Sequence, residues 1–174
     1  MEVVVAQILG VVALVLVSIG YFFKDRFKFL LMQVIANAFY ASAFLVVGAY
    51  VGGVITFISI ARCLYIYFAQ KYSFKYFYPF LLIFIVCYIV VTIVFWSAWV
   101  DIMPLITATI FTVGLSIKNL QTARCVFLIP NVILIVYNIF ATTYASALLD
   151  FIEVVVIIVA IIKFCIENKR FKIS

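Results

Sequence analysis

The sequence predicts an all-α integral membrane protein with seven transmembrane helices. Of its 174 residues, 70% are hydrophobic and 10% are charged, whereas soluble domains have roughly 45–50% apolar and about 25% charged residues. Apolar runs of about 20 residues recur along the chain, and each is long enough to cross a hydrocarbon core of ~30 Å as a helix. The connections between the runs are short, so consecutive helices are expected to be antiparallel neighbours in the membrane.

Charged and turn-like residues divide the chain into seven apolar segments. The first follows directly after Glu2, without the basic segment and small-residue cleavage site of a secretory signal, and is expected to be a retained span. In chain order, the predicted spans are Val3–Phe23, Phe27–Val47, Tyr50–Ala69, Phe77–Trp96, Met103–Ile117, Thr122–Ala141 and Tyr144–Lys163. An odd number of spans places the two termini on opposite sides of the membrane.

The positions of Lys and Arg predict the orientation of the chain. With the N-terminus outside, all of the 12 basic residues except Arg62 fall at cytoplasmic helix ends. Because cytoplasmic loops of membrane proteins carry an excess of Lys and Arg, the predicted orientation is N-terminus outside and C-terminus cytoplasmic. Contact with anionic lipid explains the net charge of +6, so the lipid bilayer is the expected partner and nucleic acid is not.

The two halves of the chain resemble each other at an offset of 94 residues, which aligns Gly20 with Gly114, Lys24 with Lys118, Asp25 with Asn119, Asn37 with Asn131 and Tyr50 with Tyr144. Residues 1–70 and 101–164 are then two three-helix repeats. Residues 71–100 hold a linker transmembrane helix, and residues 165–174 are a basic cytoplasmic tail. Because one linker span separates them, the repeats are predicted to be parallel bundles in a 3+1+3 arrangement.

Short motifs in the first half resemble those of a known family. The stretch AQILGVVALVLVSIGYFFKDRFKFLLMQVIANAFYASAFLVVGAYVGG has a Q-x-x-G start, a basic turn, an amide-bearing second helix and a G-A-Y-x-G-G turn. In these features the chain resembles the bacterial YgjV-type inner-membrane proteins, and its 3+1+3 pattern is remotely similar to the SWEET and PQ-loop transporter superfamily. The resemblance implies a location in the bacterial inner membrane and a SWEET-like fold, whose members move sugars, amino acids or related solutes between two bundles.

The chain departs from that superfamily at its prolines. The Pro-Gln pair is absent from the first and fifth spans, which have Gly10 and Pro104 near their starts instead. Pro130 lies in the middle of the sixth span, where it removes a backbone donor and frees a carbonyl one turn back. Gly10, Pro104 and Pro130 are the candidate hinge residues, and a tolerated kink is the alternative interpretation of Pro130.

Amide side chains within the apolar spans are the first candidates for a binding site. Asn37 and Asn131 occupy equivalent repeat positions, so both are predicted to face a shared cavity and to bind one polar solute. Helix-to-helix hydrogen bonds, each contributing roughly 0.6–2 kcal/mol, are the structural alternative. The predicted substrate-binding residues are Asn37, Asn131, Gln33, Tyr40, Tyr65 and Tyr137.

Three ionisable residues within the spans are the second group of candidates. Asp150 and Glu153 share one face of the last span, and Arg62 lies inside the third. Because intramembrane charges are rare and usually paired or functional, these residues are predicted to form a charge network or gate, with Arg62 paired to a carboxylate. A purely structural pair, or Arg62 extended to the cytoplasmic interface, is the alternative. With no His in the chain, proton coupling would have to use one of the two carboxylates.

Motifs for enzyme chemistry are absent from the sequence. There is no nucleophile–base constellation or phosphate-binding loop, and four scattered Cys with no His do not form a metal-ligand pattern. We therefore expect no catalytic residues, metal or cofactor. The sequence predicts a small transporter that moves a small polar or zwitterionic solute by alternating access and that could form a homo-oligomer. A non-transporting receptor or scaffold on the same fold is the alternative.

Overall fold

The computed structural model describes residues 2–46, 50–72, 74, 77–96, 99–140 and 144–173, and over these residues the chain is helical apart from short turns. Each of the seven predicted segments forms an α-helix that begins within two residues of its predicted start, and a short 3₁₀ turn at Trp99–Asp101 precedes the fifth. The helices are α1 (Glu2–Tyr21), α2 (Arg26–Val46), α3 (Tyr50–Lys71), α4 (Phe77–Val94), α5 (Ile102–Ser116), α6 (Leu120–Phe140) and α7 (Tyr144–Ile173).

Five of these helices, α1, α2, α3, α4 and α6, are long and apolar enough to cross a membrane. The other two differ for identifiable reasons. Helix α5 has only 15 residues, and α7 carries Asp150, Glu153 and Lys163 within its apolar part. Many large apolar side chains point away from the protein core, as expected for contact with lipid acyl chains. The prediction of a multi-spanning helical membrane protein is confirmed at this level.

Helix α7 is longer than the predicted span. It continues to Ile173 for a total of 30 residues, so the basic segment predicted as a tail is helical over almost all of its length. The segment contains no Gly or Pro that would end a helix. The Nζ atom of Lys24, in the α1–α2 turn, lies 2.8 Å from Oε2 of Glu167 and attaches this part of α7 to the rest of the protein.

The helices pack as two groups of three, with α4 at the side. Helix α2 packs between α1 and α3, and α6 packs between α5 and α7. The two groups meet where α1 contacts α7 and where α3 contacts α5. Helix α4 packs against α3 and α5, and its buried residues Leu81, Tyr88 and Thr92 form one stripe along it.

Aromatic rings fill the space between the two groups. Tyr21 on α1 and Phe29 on α2 have ring centroids 5.6 Å apart, and Phe29 stacks on Phe127 of α6 at 5.9 Å. Phe111 on α5 completes this aromatic core at 5.6 Å from Phe127. Since Tyr21, Phe29 and Phe127 are almost fully buried, the two groups are in close contact at this level of the structure.

The basic turns that precede α2 and α6 have the same local structure. The Asp25 carboxylate accepts a hydrogen bond from the backbone N–H of Phe27 at 2.8 Å. The Asn119 side chain accepts one from the N–H of Gln121 at 2.9 Å. Both contacts are N-caps, which satisfy backbone donors that have no partner within the helix. Asp25 and Asn119 are the positions that the 94-residue offset aligns.

Glycine permits a close approach at the end of the first helix of each group. A Cβ atom at Gly114 would lie 2.6 Å from Cε1 of Phe127, which is shorter than any normal contact. A Cβ atom at Gly20 would lie 3.2 Å from Cβ of Met32. The helices can therefore cross this closely only because neither residue has a side chain.

Candidate functional site

The carboxylate of Glu153 lies where α1 and α6 meet α7. It is 7% exposed, and its Oε1 accepts a hydrogen bond of 2.8 Å from the Tyr21 hydroxyl. The Asn131 amide lies 3.4 Å from the same oxygen and also donates to the backbone carbonyl of Phe127 at 3.0 Å. The bond to Tyr21 on α1 thus joins the two groups of helices, whereas the bond to Asn131 on α6 lies within the second group.

A second carboxylate lies one turn away on the same face of α7. The Asn138 amide on α6 donates a hydrogen bond of 2.6 Å to Oδ2 of Asp150. Asn131 and Asn138 are seven residues apart, so they share one face of α6 opposite the two acids. Tyr40 on α2 lies close enough to both carboxylates to interact with them electrostatically. We refer to Tyr21, Asn131, Asn138, Asp150 and Glu153 as the carboxylate cluster.

The chemistry of the carboxylate cluster is that of a hydrogen-bond acceptor site. Its carboxylates receive hydrogen bonds from a phenol and two amides, which are neutral donors. Within the described part of the chain, neither acid forms a salt bridge with Lys or Arg. Carboxylate oxygens without a cationic partner can accept hydrogen bonds from an ammonium or hydroxyl group of a solute.

The predicted pairing of Arg62 with Glu153 or Asp150 is not formed. Nη1 of Arg62 donates to the carbonyl of Ala108 at 3.1 Å and to the hydroxyl of Thr112 at 2.9 Å, both on α5. Extension to the headgroups is also excluded, because Arg62 is only 4% exposed within the helix bundle. The reason is lateral position: α3 packs against α5 and α7 packs against α1, so the two charges lie at different contacts between the groups.

The two equivalent asparagines have different surroundings. The Asn37 amide lies 3.9 Å from Sγ of Cys63, so it contacts α3 within its own group of helices. Asn131 instead approaches Glu153, because the repeat position that holds Glu153 on α7 is Ser59 on α3. The two amides therefore have different hydrogen-bond partners, and their shared solute cavity stays a prediction. Gln33, one turn before Asn37, is partly exposed.

The tyrosines predicted to bind substrate are distributed over different parts of the structure. Tyr40 lies beside the carboxylate cluster and packs against the core. Tyr65 stacks on Phe80 of α4 with a centroid distance of 5.1 Å, so it belongs to the α3–α4 contact. Tyr137 precedes Asn138 on α6 and is partly buried. Tyr40 therefore lies near the cluster, while Tyr65 takes part in the α3–α4 contact.

The three candidate hinge residues also differ in position. Pro130 is buried in the middle of α6, next to Asn131. Pro104 is the third residue of α5, where a missing N–H removes no intrahelical hydrogen bond. Gly10 faces α7, and a Cβ added there would lie 3.8 Å from Cδ1 of Leu149, an ordinary contact. Gly10 and Pro130 both lie in the middle of their helices, but only Pro130 also lacks the backbone N–H of an intrahelical hydrogen bond.

The α1–α2 and α5–α6 turns lie at the same end of the bundle, which we call the basic end. There, Arg26 joins the first group of helices to the second. It begins α2, and its guanidinium donates hydrogen bonds to the carbonyl of Leu115, near the end of α5, and to that of Lys118 at 3.5 Å. Its Nε also donates to Gln70 of α3 at 2.5 Å, and the Gln70 amide reaches the carbonyl of Ser116 at 3.4 Å.

Arg124 makes the reciprocal contact from the second group to the first. It lies on α6, and its Nη2 donates to the carbonyl of Phe23, just beyond the end of α1, at 2.6 Å. Its guanidinium carbon is 4.3 Å from the ring centroid of Phe164 on α7. Helix C-termini carry partial negative charge, so a guanidinium stabilises both ends that receive these arginines. Together, Arg26 and Arg124 connect the two groups at the basic end.

The roles of Tyr21, Asn138, Arg26 and Arg124 were not predicted from the sequence. For Asn138 a signal was available, because its seven-residue spacing from Asn131 places both on one helix face. The two arginines were assigned to the membrane interface by the distribution of positive charge. Their partners are backbone carbonyls of other helices, which no residue pattern identifies. For Tyr21, nothing in the sequence predicts that its hydroxyl reaches α7.

Comparison with known proteins gives one match. The family Imp-YgjV, described as a bacterial inner membrane protein, matches residues 4–168, which is nearly the whole chain. No curated protein and no solved structure matches the chain.

Proposed function

The chain belongs to the bacterial inner membrane protein family Imp-YgjV, and we propose that it is a small transporter within that membrane. It moves a small polar or zwitterionic solute by alternating access between two bundles, α1–α3 and α5–α7. The observation that carries this proposal is Glu153, a buried intramembrane carboxylate that has only neutral hydrogen-bond donors and lies at the contact between the bundles. Ionisable groups at such positions in membrane proteins usually mark the path of a solute or ion.

A SWEET-like arrangement of two parallel repeats is part of this proposal, and three features support it. The N-caps at Asp25 and Asn119 are equivalent under the 94-residue offset. The glycine crossings at Gly20 and Gly114 are equivalent as well, with Met32 and its repeat mate Val126 beside them. The first helix of each bundle contacts the third helix of the other, since α1 meets α7 and α5 meets α3. This is the pattern expected for two units related by a pseudo-two-fold axis.

The arginine contacts at the basic end fit the closed gate of an alternating-access cycle. Arg26 and Arg124 each donate to backbone carbonyls of the opposite bundle, and the aromatic core closes the same side of the interface. With the N-terminus outside, the basic end is cytoplasmic. The structure then corresponds to a state closed to the cytoplasm, and these hydrogen bonds must break before a solute can leave on that side.

A receptor or scaffold on the same fold is the second candidate function. The aromatic core favours it, because Tyr21, Phe29 and Phe127 pack the two bundles together with almost no exposed surface. A module that never opens would need such a permanently closed interface. The two functions differ in whether the basic end opens and in whether a solute crosses the membrane.

Uptake into reconstituted vesicles tests the transport proposal. Purified protein in liposomes would be screened with radiolabelled sugars, amino acids and amines, and solute uptake compared with that of protein-free vesicles. Glu153→Gln removes the buried charge but keeps the shape of the side chain, and we expect it to reduce uptake at least tenfold. Glu167→Gln is the matched control, since that acid lies near the end of α7 beside Lys24. No uptake of any solute would favour the scaffold, whereas uptake that is equal in both variants would contradict the role of Glu153 in transport.

A further inference from the structure

Arg62 is a buried cation whose hydrogen bonds are incomplete. Its side chain is 4% exposed, and Nη1 donates to Ala108 and Thr112 of α5 at 3.1 and 2.9 Å. Both acceptors are neutral. The Nε–H group is buried and has no hydrogen-bond partner within the described part of the chain. A guanidinium has five N–H donors in a fixed plane, so the two observed bonds leave part of it unsatisfied.

No carboxylate with a described side chain neutralises this charge. Asp25 caps α2, Asp150 binds Asn138, Glu153 binds Tyr21, and Glu167 pairs with Lys24. An isolated guanidinium in a low-dielectric interior is so costly that buried arginines normally have an anionic partner. The structure therefore leaves a positive charge in the bundle that the described acidic side chains do not balance.

The described side chains around Arg62 include hydroxyls, an aromatic ring and the buried thiol of Cys63. The guanidinium carbon is 5.9 Å from the ring centroid of Tyr88 on α4, and the Tyr88 hydroxyl lies 3.1 Å from Oγ of Ser59, one turn from Arg62 on α3. Thr92 follows Tyr88 by one turn on the same buried stripe of α4. Its hydroxyl is also buried and has no hydrogen-bond partner among the described residues.

We propose that a small monovalent anion binds beside Arg62, between α3, α4 and α5. We call Ser59, Arg62, Tyr88, Thr92 and Thr112 the arginine site. The guanidinium supplies the charge and an Nε–H without a described partner. The Thr112 hydroxyl donates to the carbonyl of Ala108 at 2.7 Å, so the further donors are Thr92 and whichever of Ser59 and Tyr88 does not donate to the other. A charge with several donors is the combination that a halide or a carboxylate group requires. The anion is either a free halide or the carboxylate of the solute itself. The inference does not depend on transport, because a permanently closed module would need the same counter-ion.

Thermal unfolding of the purified protein in detergent tests for this anion. The unfolding midpoint would be followed by circular dichroism at 222 nm while sodium gluconate is replaced by sodium chloride or sodium acetate at constant ionic strength. Gluconate is too large for a closely packed site. Because a ligand that binds only the folded state stabilises it in proportion to the logarithm of its concentration, the midpoint should rise by a few degrees between about 1 and about 100 mM of the bound anion.

Substitutions show which residues are needed for the unfolding midpoint to respond to the anion. Arg62→Gln should abolish the dependence of the midpoint on the anion. Arg124→Gln is the matched control, because Arg124 is also buried and its Nε–H also lacks a described partner. It should retain the response, and a response lost in Arg124→Gln but kept in Arg62→Gln would overturn the proposal. Thr92→Val preserves the shape of a residue with no described hydrogen bond. It should weaken the apparent anion affinity severalfold with little change of the midpoint in gluconate, so the site can be tested even if Arg62→Gln does not fold.

The outcomes separate the two sources of the anion. A response to chloride that is lost in Arg62→Gln supports a free halide, and a response to acetate alone supports the carboxylate of a solute. The proposal is overturned if wild-type protein responds to neither anion, or if Arg62→Gln or Thr92→Val responds as wild type does. Asp101, whose side chain is outside the described part, is tested by Asp101→Asn. If the unfolding midpoint of Asp101→Asn in gluconate is as low as that of Arg62→Gln in gluconate, Asp101 is the counter-ion and the proposal is overturned.

Discussion

Glu153 shows how much a single buried acid depends on its neutral donors. The Tyr21 hydroxyl makes its shortest hydrogen bond, at 2.8 Å, and both side chains are buried. A buried carboxylate that loses such a donor has no water with which to replace it. The bond therefore matters for the stability of the contact between α1 and α7 and for the geometry of the carboxylate cluster.

Replacing Tyr21 with Phe tests this dependence. We expect Tyr21→Phe to lower the free energy of unfolding by about 1–3 kcal/mol, because the ring remains while the charged acceptor loses its donor. The measurement is unfolding of the purified protein in mixed micelles by increasing SDS. Tyr78→Phe is the control, since Tyr78 is 73% exposed, and it should have almost no effect. Equal effects of the two substitutions would mean that the hydroxyl contributes nothing to stability.

Gly114 gives a second prediction at the scale of one residue. In Gly114→Ala the new methyl group would lie 2.6 Å from Phe127, a ring already enclosed by Phe29 and Phe111. We expect a loss of about 1–3 kcal/mol of stability from overpacking. Gly10→Ala is the matched control. Its methyl group would lie 3.8 Å from Leu149, so the higher helix propensity of Ala should leave stability unchanged or raise it. The same unfolding assay compares the two, and a stable Gly114→Ala protein would contradict the close crossing.

The sequence predicts which charged residues lie inside the apolar spans better than it predicts their neighbours. Arg62 and Glu153 were both expected within the spans, and both are buried. Their pairing was wrong, because helix spacing gives the position of a residue along its own helix and does not tell which other helix that residue faces. The Arg62 side chain faces α5, whereas Glu153 faces α1 and α6. The same limit explains why Asn37 and Asn131, although equivalent in sequence, have different partners.

Helices as elements were the most predictable part of this chain. Long apolar runs with polar turns between them have only one structural solution in lipid, so all seven helices begin near their predicted starts. The end of α7 was misjudged for a physical reason. The loss of hydrophobicity after Lys163 ends a membrane span but does not end a helix, since the segment up to Ile173 has no residue that breaks one.

The extension of α7 beyond the apolar segment leads to a prediction about pH. The hydrogen bond from Lys24 lowers the pKa of Glu167. This contact therefore stabilises the folded state above the ordinary pKa of a glutamate and is lost as the pH falls through the lowered value. The protection factors of the amides near Glu167, which are their intrinsic exchange rates divided by the observed rates at the same pH, should fall at acidic pH and at high salt, because the pair is accessible to water. Glu167→Gln should have the low protection at every pH, and protection factors that do not change with pH in the wild type would contradict the contact.

At the scale of the whole molecule, consecutive helices pack against each other in two groups, α1–α3 and α5–α7. The relation of these groups as parallel repeats stays a prediction. The side on which α4 packs could not be predicted, because its sequence is apolar all round and only three of its residues are buried. The contacts of Arg26 and Arg124 could also not be predicted from the sequence, since their acceptors are backbone carbonyls.

Orientation in the membrane is a prediction that labelling can check. Single cysteines would replace Lys118 in the α5–α6 turn and Trp96 after α4, in a protein whose four native cysteines have been replaced. In intact cells, an impermeant maleimide should label the cysteine at position 96 and should label the one at position 118 only after the membrane is opened, because positive turns stay cytoplasmic. Labelling of both positions from the same side would contradict the predicted topology.

The central claim is that the two bundles separate at the basic end when Arg26 and Arg124 release their carbonyl acceptors. Spin labels at Lys71 on α3 and Thr122 on α6, both exposed, would report the distance between the bundles in liposomes by double electron–electron resonance. A pair at Lys28 and Lys71, within one bundle, is the control. We predict a short distance in the wild type and, in the double variant Arg26→Gln with Arg124→Gln, a second population several ångströms longer. The control distance should not change. A single distance that is the same in both proteins would contradict alternating access and leave a permanently closed module.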